Sequence, residues 1–205
     1  MKSPARDPHF ATNSVHGYWA QEPLIKRVLS FVPQRRAAVD VGAHIGVWTQ
    51  MLAAQFKQVY AFEPVAENFE CLRANVDQPN VHLHAVALGA GCGFCDLTLP
   101  TGGNSGTWRT KHRVGETLVV PLDAHGLLDV DLIKIDTEGT EGEVLQGARE
   151  LLERCHPHVF FEDNGLGQKY FGKDWANPRS VLEEFAYVRI ARLQKNELWA
   201  PKLSR

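Results

Sequence analysis

Short β-branched runs bounded by turns alternate along the chain with longer stretches of helical period. "AAVDVG" reads as a strand and "VWTQMLAAQF" as a helix, and "QVYAFEP" and "AENFECLRANV" repeat the pair. "VHLHAVALG" and "VDLIKIDTEG" are again strand-like, "EGEVLQGARELLERC" is helical, and "HVFFED" closes the series as a strand. Nearly continuous apolar strands alternating with helices are the pattern of a parallel sheet covered on both faces, so five parallel strands are predicted. Ahead of them, residues 22–32 place Pro23 near a helix start and apolar side chains at Leu24, Ile25, Val28 and Leu29, a helix with one buried face. After them, "NPRSVLEEFA" is helical, and "YVRIARLQKNELWAPK" divides into two strands joined at Lys195 and Asn196, a hairpin rather than another strand-helix-strand unit.

One segment interrupts the alternation. Residues 90–122 hold the strand-like runs "FCDLTL" and "ETLVVPLD" around the loop "TGGNSGTWRTKHRVG". No acidic residue stands between Asp96 and Glu116, while Arg109, Lys111 and Arg113 sit beside Trp108 and His112. A solvated surface hairpin accounts for this pattern. So does a cationic flap with an aromatic platform for an anionic or sugar-like substrate, whose candidate contacts are Asn104, Ser105, Trp108 and Arg109.

A chain of 205 residues with 44% hydrophobic content can bury one substantial core, and a single domain is expected. Its 22 Lys+Arg nearly balance 24 Asp+Glu, so no global charge draws it to nucleic acid or to a membrane. With no apolar leader behind "MKSPARDPHF" and no membrane-length apolar run, a soluble cytoplasmic protein is the expectation. Four cysteines are too few for a disulfide framework. Cys92 and Cys95 form a CxxC, and "HLH" and "HPH" put alternate histidines on one strand face, but none has the further ligands that a zinc site needs. They are read as ordinary turn and strand residues.

The candidate chemistry lies just after the strands, where open parallel sheets bind ligands. Between the first strand and helix, "VDVGAHIG" puts Gly42 and Gly46 around Ala43 and His44. Bare backbone there allows close approach, and the following helix offers free N–H groups to an anion. A dinucleotide turn would read G-x-G-x-x-G, and this one lacks the middle glycine. Asp40, two places before Gly42, would repel a pyrophosphate yet suits the ammonium group of S-adenosylmethionine. Glu63 in "FEP", beside Pro64 at the end of the next strand, can accept hydrogen bonds from both ribose hydroxyls. Together they favour S-adenosylmethionine over NAD.

In order and spacing, "VDVGAHIGVWT", "VYAFEPVAENFECLRAN", "VALG", "LIKIDTEGTEGEVLQGA" and "HVFFED" resemble the FkbM family of S-adenosylmethionine-dependent methyltransferases, over roughly residues 36–165. His44 departs from the family, which usually has Asn there; a neutral imidazole keeps a donor or acceptor at that place. The resemblance implies an α/β fold of the Rossmann-like class I methyltransferase kind. Its seven-stranded, mostly parallel sheet would end in the C-terminal antiparallel hairpin, with the β-hairpin or flap as an insertion. The layout would be an N-terminal arm and helix over 1–34, a cofactor-binding core over 35–165 containing the flap at 90–122, and a C-terminal helix and hairpin over 166–205. It further implies that Asp40 and the 42–46 turn meet the methionine end of the cofactor, that Glu63 meets the ribose, and that Ala87 and Leu88 lie near the adenine.

Methyl transfer from a sulfonium is an in-line displacement, so alignment supplies most of the acceleration and a base is needed only for a protonated nucleophile. Asp136, ending "LIKID" and also counted among the cofactor contacts, and Glu138 are the candidate catalytic carboxylates, with Glu162 in reserve. Thr140 with Glu143 fits a capping box, which with Glu141 gives these acids a structural role instead. Lys134 shares a strand face with Asp136 and, if buried, needs a carboxylate partner, either Asp136 or Asp40. The same carboxylates have the hard oxygens that Mg²⁺ takes, but the resemblance implies no metal and none is expected. The expected reaction is O-methylation of a hydroxyl on a sugar, glycan or other small metabolite, releasing S-adenosylhomocysteine. The alternatives are an N-methyltransferase or nucleic-acid methyltransferase, a non-catalytic cofactor-binding scaffold and an NAD oxidoreductase. Neither a membrane nor a nucleic acid is an expected partner.

Overall fold

The computed structural model describes residues 1–4, 21–98, 109–172 and 175–202, without the side chains of 109–114. The first half runs from helix α1 (21–29) through β1 (Ala37–Val41), α2 (Val47–Ala53), β2 (Gln58–Phe62), α3 (Ala66–Asn75) and β3 (Val81–His84). An insertion follows, made of β4 (Ala87–Leu88), β5 (Gly93–Thr98) and β6 (Arg109–Val120). The second half holds β7 (Val130–Ile135), α4 (Glu141–Gln146), α5 (Arg149–Cys155), β8 (His158–Glu162), α6 (Leu166–Phe171), α7 (Pro178–Glu184), β9 (Tyr187–Leu193) and β10 (Asn196–Pro201).

Every residue of β1 and β7 is buried, as expected of strands covered on both faces, and their mostly apolar runs are broken only by Asp40, Asp131 and Lys134. They are neighbours in a seven-stranded sheet of order β3-β2-β1-β7-β8-β10-β9. The five predicted strands are parallel, and β10 runs antiparallel to both its neighbours. Side chains alternate as a pleat demands. Ala38, Leu132, Phe160 and Leu198 pack under α1 and α2 against Ile25, Val28, Trp48 and Leu52, while Val39, Ile133, Val159 and Phe161 pack the other way against Leu145, Leu151, Leu152 and Leu182. Because the chain runs outward from β1 to β3 and then returns to β7, the order reverses between β1 and β7, and a crevice opens at their carboxyl ends.

Three sequence expectations shift. "VHLHAVALG" is two strands: the chain leaves the main sheet after His84, and Ala87–Leu88 pairs with Val119–Val120 in a separate three-stranded sheet of order β4-β6-β5. "EGEVLQGARELLERC" is two helices, because α4 ends at Gly147. The C-terminal hairpin turns at Gln194 and Lys195, with Gln194 at φ 60, so that Asn196 already belongs to β10 and pairs with Leu193 and Glu162. Inside the sheet, the fully buried Glu197 accepts from Arg179 Nε at 3.1 Å, Arg189 Nη1 at 2.7 Å and Trp199 Nε1 at 3.0 Å, so its charge is met on every side. Among the described residues no helix is long and apolar enough to cross a membrane.

Candidate active site

A cleft of about 350 Å³ opens at the carboxyl ends of β1, β2 and β7. Its floor is the turn from Gly42 to His44, one wall carries Glu63 and Pro64, and the opposite mouth carries Asp136 and Glu138. Phe62, Val65, Val86, Ala87, Leu88 and Leu97 make an apolar side, to which the insertion contributes through β4 and β5.

The turn is held from beneath. Gly42 N and Ala43 N both donate to Phe62 O at 3.0 Å. Gly42 has φ 72, and a Cβ there would stand 1.9 Å from Asp136 O, so only glycine lets the ends of β1 and β7 meet so closely. Gly46 lies off the cleft wall, and its bareness serves another end: at φ 96, an added Cβ would meet Val76 and Leu72 of the α3 layer within 3 Å. Between them His44 has φ 53 and donates its backbone N–H to Glu63 Oε2 at 2.8 Å. Asn and His are both enriched in the left-handed region, which explains why histidine can stand where the family usually has asparagine. Glu63 Oε1 accepts from Val65 N at 3.0 Å and Asn68 Nδ2 at 3.4 Å. Only 4% of Glu63 is exposed, and burial raises its pKa against the pull of those donors. A carboxylate has about four acceptor positions. The two backbone donors take two and Asn68, at 3.4 Å, only weakly a third, which leaves one position open and one weakly held for a ligand's hydroxyls.

Asp40 has a different place from the one its motif suggests. It is fully buried, its Oδ1 lies 2.9 Å from Lys134 Nζ, and its Oδ2 accepts from Thr49 Oγ1 at 2.7 Å. The pairing open in the sequence is thus Lys134 with Asp40, its register neighbour across β1 and β7. Lys134 also donates to Gly42 O at 2.7 Å and Val41 O at 3.2 Å. The charge read as a partner for an ammonium is therefore met inside the protein, and Asp40 acts on the cleft through Lys134 and the Gly42 carbonyl.

At the mouth, Asp136, Glu138 and Glu162 each bring a carboxylate oxygen within 4.8 Å of the others. Asp136 opens into the cleft; the surrounding protein pushes its pKa up, and Glu162 adds to this against Lys134. Glu138 has φ 58, a strained conformation for a residue with a Cβ. Burial raises its pKa to about 7, with Asp136, Glu162 and Glu141 adding and Lys195 opposing. Protein donors answer this charge: Lys195 Nζ pairs with Glu162 Oε1, and Asn164 Nδ2 donates to both Glu138 and Glu162. The CxxC and the alternate histidines join no such grouping among the described residues. His82 and His84 instead stack on Tyr60 and Phe62.

The capping box at Thr140 does not form, since the Thr140 side chain makes no cap hydrogen bond. Glu141 works in its place: its Oε1 accepts from Gly139 N at 3.0 Å and from Thr137 N and Thr137 Oγ1 at 3.2 Å, tying the loop that carries Glu138. Burial nevertheless raises the Glu141 pKa to about 7. The folded protein then binds more protons than the unfolded chain between the ordinary carboxylate value and about pH 7. Stability should therefore fall as pH rises through that window, by on the order of 3 kcal/mol from this buried group. Urea unfolding from pH 4.5 to 8 should show the decline, and Glu141→Gln should flatten it; an unchanged slope would remove Glu141 as its source.

The family model described as the Methyltransferase FkbM domain matches residues 40–189. The chain belongs to the FkbM methyltransferase family. No curated protein sequence matches it. Solved structures resemble this FkbM chain at low identity and so speak to the fold alone. An FkbM methyltransferase from Methylobacillus flagellatus superposes with TM-score 0.55 at 17% identity, over 81% of this chain and 43% of that one. The present chain thus spans less than half of that protein. The precorrin-6y C5,15-methyltransferase of Geobacter metallireducens has TM-score 0.52 at 14% identity, over 88% of this chain and 89% of that one. SMU.1697c of Streptococcus mutans, solved with S-adenosylhomocysteine, has TM-score 0.53 at 13% identity, over 87% of this chain and 96% of that one.

Within this FkbM cleft the structure brings together Gly42, Ala43, His44, Glu63, Pro64, Ala87, Leu88, Asp136 and Glu138, and sets Glu162 beside them. Asn104, Ser105 and Trp108 lie outside the described residues; Arg109 opens β6, but its side chain does too. Sequence reasoning missed Gln21, Trp48, Leu97 and Lys195 on the cleft wall and Asn164 behind it. The turn position of Lys195 could have flagged it, whereas no motif carried the rest.

Proposed function

We propose that the protein transfers a methyl group from S-adenosylmethionine to a hydroxyl oxygen of a sugar, glycan or other small metabolite. The observation that carries this reading is the meeting of three carboxylates at the mouth of a cleft floored by the Gly42–His44 turn. The donor set suits the cofactor. Glu63 offers a nearly buried carboxylate to a pair of hydroxyls, and the apolar side from Phe62 to Leu97 receives a flat ring. S-adenosylmethionine, when bound, supplies an electrophilic methyl group on a sulfonium, which the acceptor oxygen displaces in line. Glu138 takes the hydroxyl proton, since a carboxyl of pKa about 7 is matched to that task near neutral pH. Asp136 accepts a hydrogen bond from the acceptor and holds it toward the cleft. Lys195 pairs with Glu162 and the neutral Asn164 amide donates to Glu138 and Glu162, so the reaction is written without a metal.

Calorimetric titration with S-adenosylhomocysteine, with NAD as control, tests the cofactor. Micromolar binding of the first and none of the second is expected. Retention of NAD alone would overturn the assignment. A screen of hydroxylated acceptors with radiolabelled donor then tests the acceptor class.

A further inference from the structure

Glu138 and Glu162 stand on different segments, one in the loop after β7 and the other at the end of β8, yet a single side chain grips both. Asn164 Nδ2 donates to Glu138 Oε2 and to Glu162 Oε2, each at 3.1 Å. The amide is oriented by its other end: Asn164 Oδ1 accepts from Leu166 N at 3.0 Å, a turn that leaves the nitrogen to the two glutamates. Glu138 needs such a grip, because its backbone sits in the left-handed region and its segment ends at Gly139, whose φ is 123. The charged groups around it come from every side: Asp136 from the end of β7, Glu141 from the start of α4, Glu162 from β8 and Lys195 from the hairpin turn. Three of these are acids, and Lys195 already pairs with Glu162. Asn164 is thus the neutral donor that lets two neighbouring carboxylates point the same way without a second cation.

We infer that Asn164 is a positioning residue for methyl transfer, holding the Glu138 carboxylate at the cleft mouth and supporting its charged form. This rests on the reading of Glu138 as base, and it adds a role for a residue that does not itself line the cleft. Donors to a carboxylate favour its ionised state, so removing them should make Glu138 hold its proton more tightly.

The test uses the full chain labelled with ¹³C at the glutamate carboxyl carbons. The Glu138 resonance is assigned by its loss in Glu138→Gln, and the probe ligand is S-adenosylhomocysteine. In Asn164→Ala the Glu138 titration midpoint should rise by about one unit above the wild-type value. Asn164→Ser keeps an acceptor for Leu166 N–H and one donor, so its midpoint should fall in between. S-adenosylhomocysteine affinity should stay within about twofold throughout. A midpoint that ignores Asn164→Ala, or a loss of S-adenosylhomocysteine binding in step with the shift, overturns the positioning role. The two ideas fail separately: an ordinary carboxylate midpoint for Glu138 in the wild type sinks the base reading, whereas a midpoint near 7 that ignores Asn164 sinks only this inference.

Discussion

Replacing Lys134 with methionine should lower the unfolding free energy by about 3–5 kcal/mol, the usual cost of leaving a buried charge without its partner. Asp40 is fully buried between β1 and β7, and its remaining neighbour would be the Thr49 hydroxyl. The variant also loses the hydrogen bonds from Nζ to Val41 O and Gly42 O, so the floor of the cleft loosens along with the core. Adding Asp40→Asn should recover much of the loss, because an amide needs no counter-charge while its oxygen can still accept from Thr49. Urea unfolding of the two single variants and the double variant provides the cycle. A single-variant cost below about 1 kcal/mol would mean that the pair is solvated, contrary to its burial here.

Glu63→Ala should weaken S-adenosylhomocysteine binding by about two to three orders of magnitude, or about 3–4 kcal/mol, as expected for losing two hydrogen bonds to a charged acceptor. Part of the effect would be indirect, because Glu63 Oε2 also anchors His44 N and so shapes the turn. A 2′,3′-dideoxy analogue of S-adenosylhomocysteine separates the contributions. It should bind the wild type less poorly than the parent binds the variant, the difference being the indirect part, and the variant should scarcely distinguish the two. If the variant still prefers the ligand with both hydroxyls by a large factor, Glu63 is not the ribose contact and serves only the turn.

What could be read from the sequence follows from the range of the interactions involved. The central parallel strands were legible because burial on both faces leaves a mostly apolar run that needs no partner to be recognised, as in "AAVDV" and "VDLIKI", and the edge strand β3 by its place in the alternation. The places of Gly42 and Glu63 on the cleft were legible because they follow from backbone conformation and from position at a strand end. The break after His84 was not, since it depends on β6, more than twenty residues on, drawing Ala87 and Leu88 into another sheet. The partner of Asp40 was open for a related reason: the sequence offers Lys134 either Asp136 or Asp40, and only the strand register chooses Asp40. Lys195 and Asn164 escaped notice because they reach the site from turns with no motif of their own, Lys195 from the hairpin between β9 and β10 and Asn164 from an ordinary Asx turn after β8.

The strand order bears on when this protein becomes competent during its own synthesis. β10 leaves the ribosome after every other strand of the main sheet, yet it lies inside that sheet, between β8 and β9. Until residues 196–201 emerge, β8 has a bare edge, Arg179 and Arg189 lack the Glu197 carboxylate they share, and Lys195 has no fixed hairpin to carry it to Glu162. The strands β1 to β3 are made first, as domains tend to fold from the N-terminal side during translation, but β1 still waits for β7, whose Lys134 meets the buried Asp40. The cleft is therefore completed last at its mouth, when the closing hairpin brings Lys195 to Glu162.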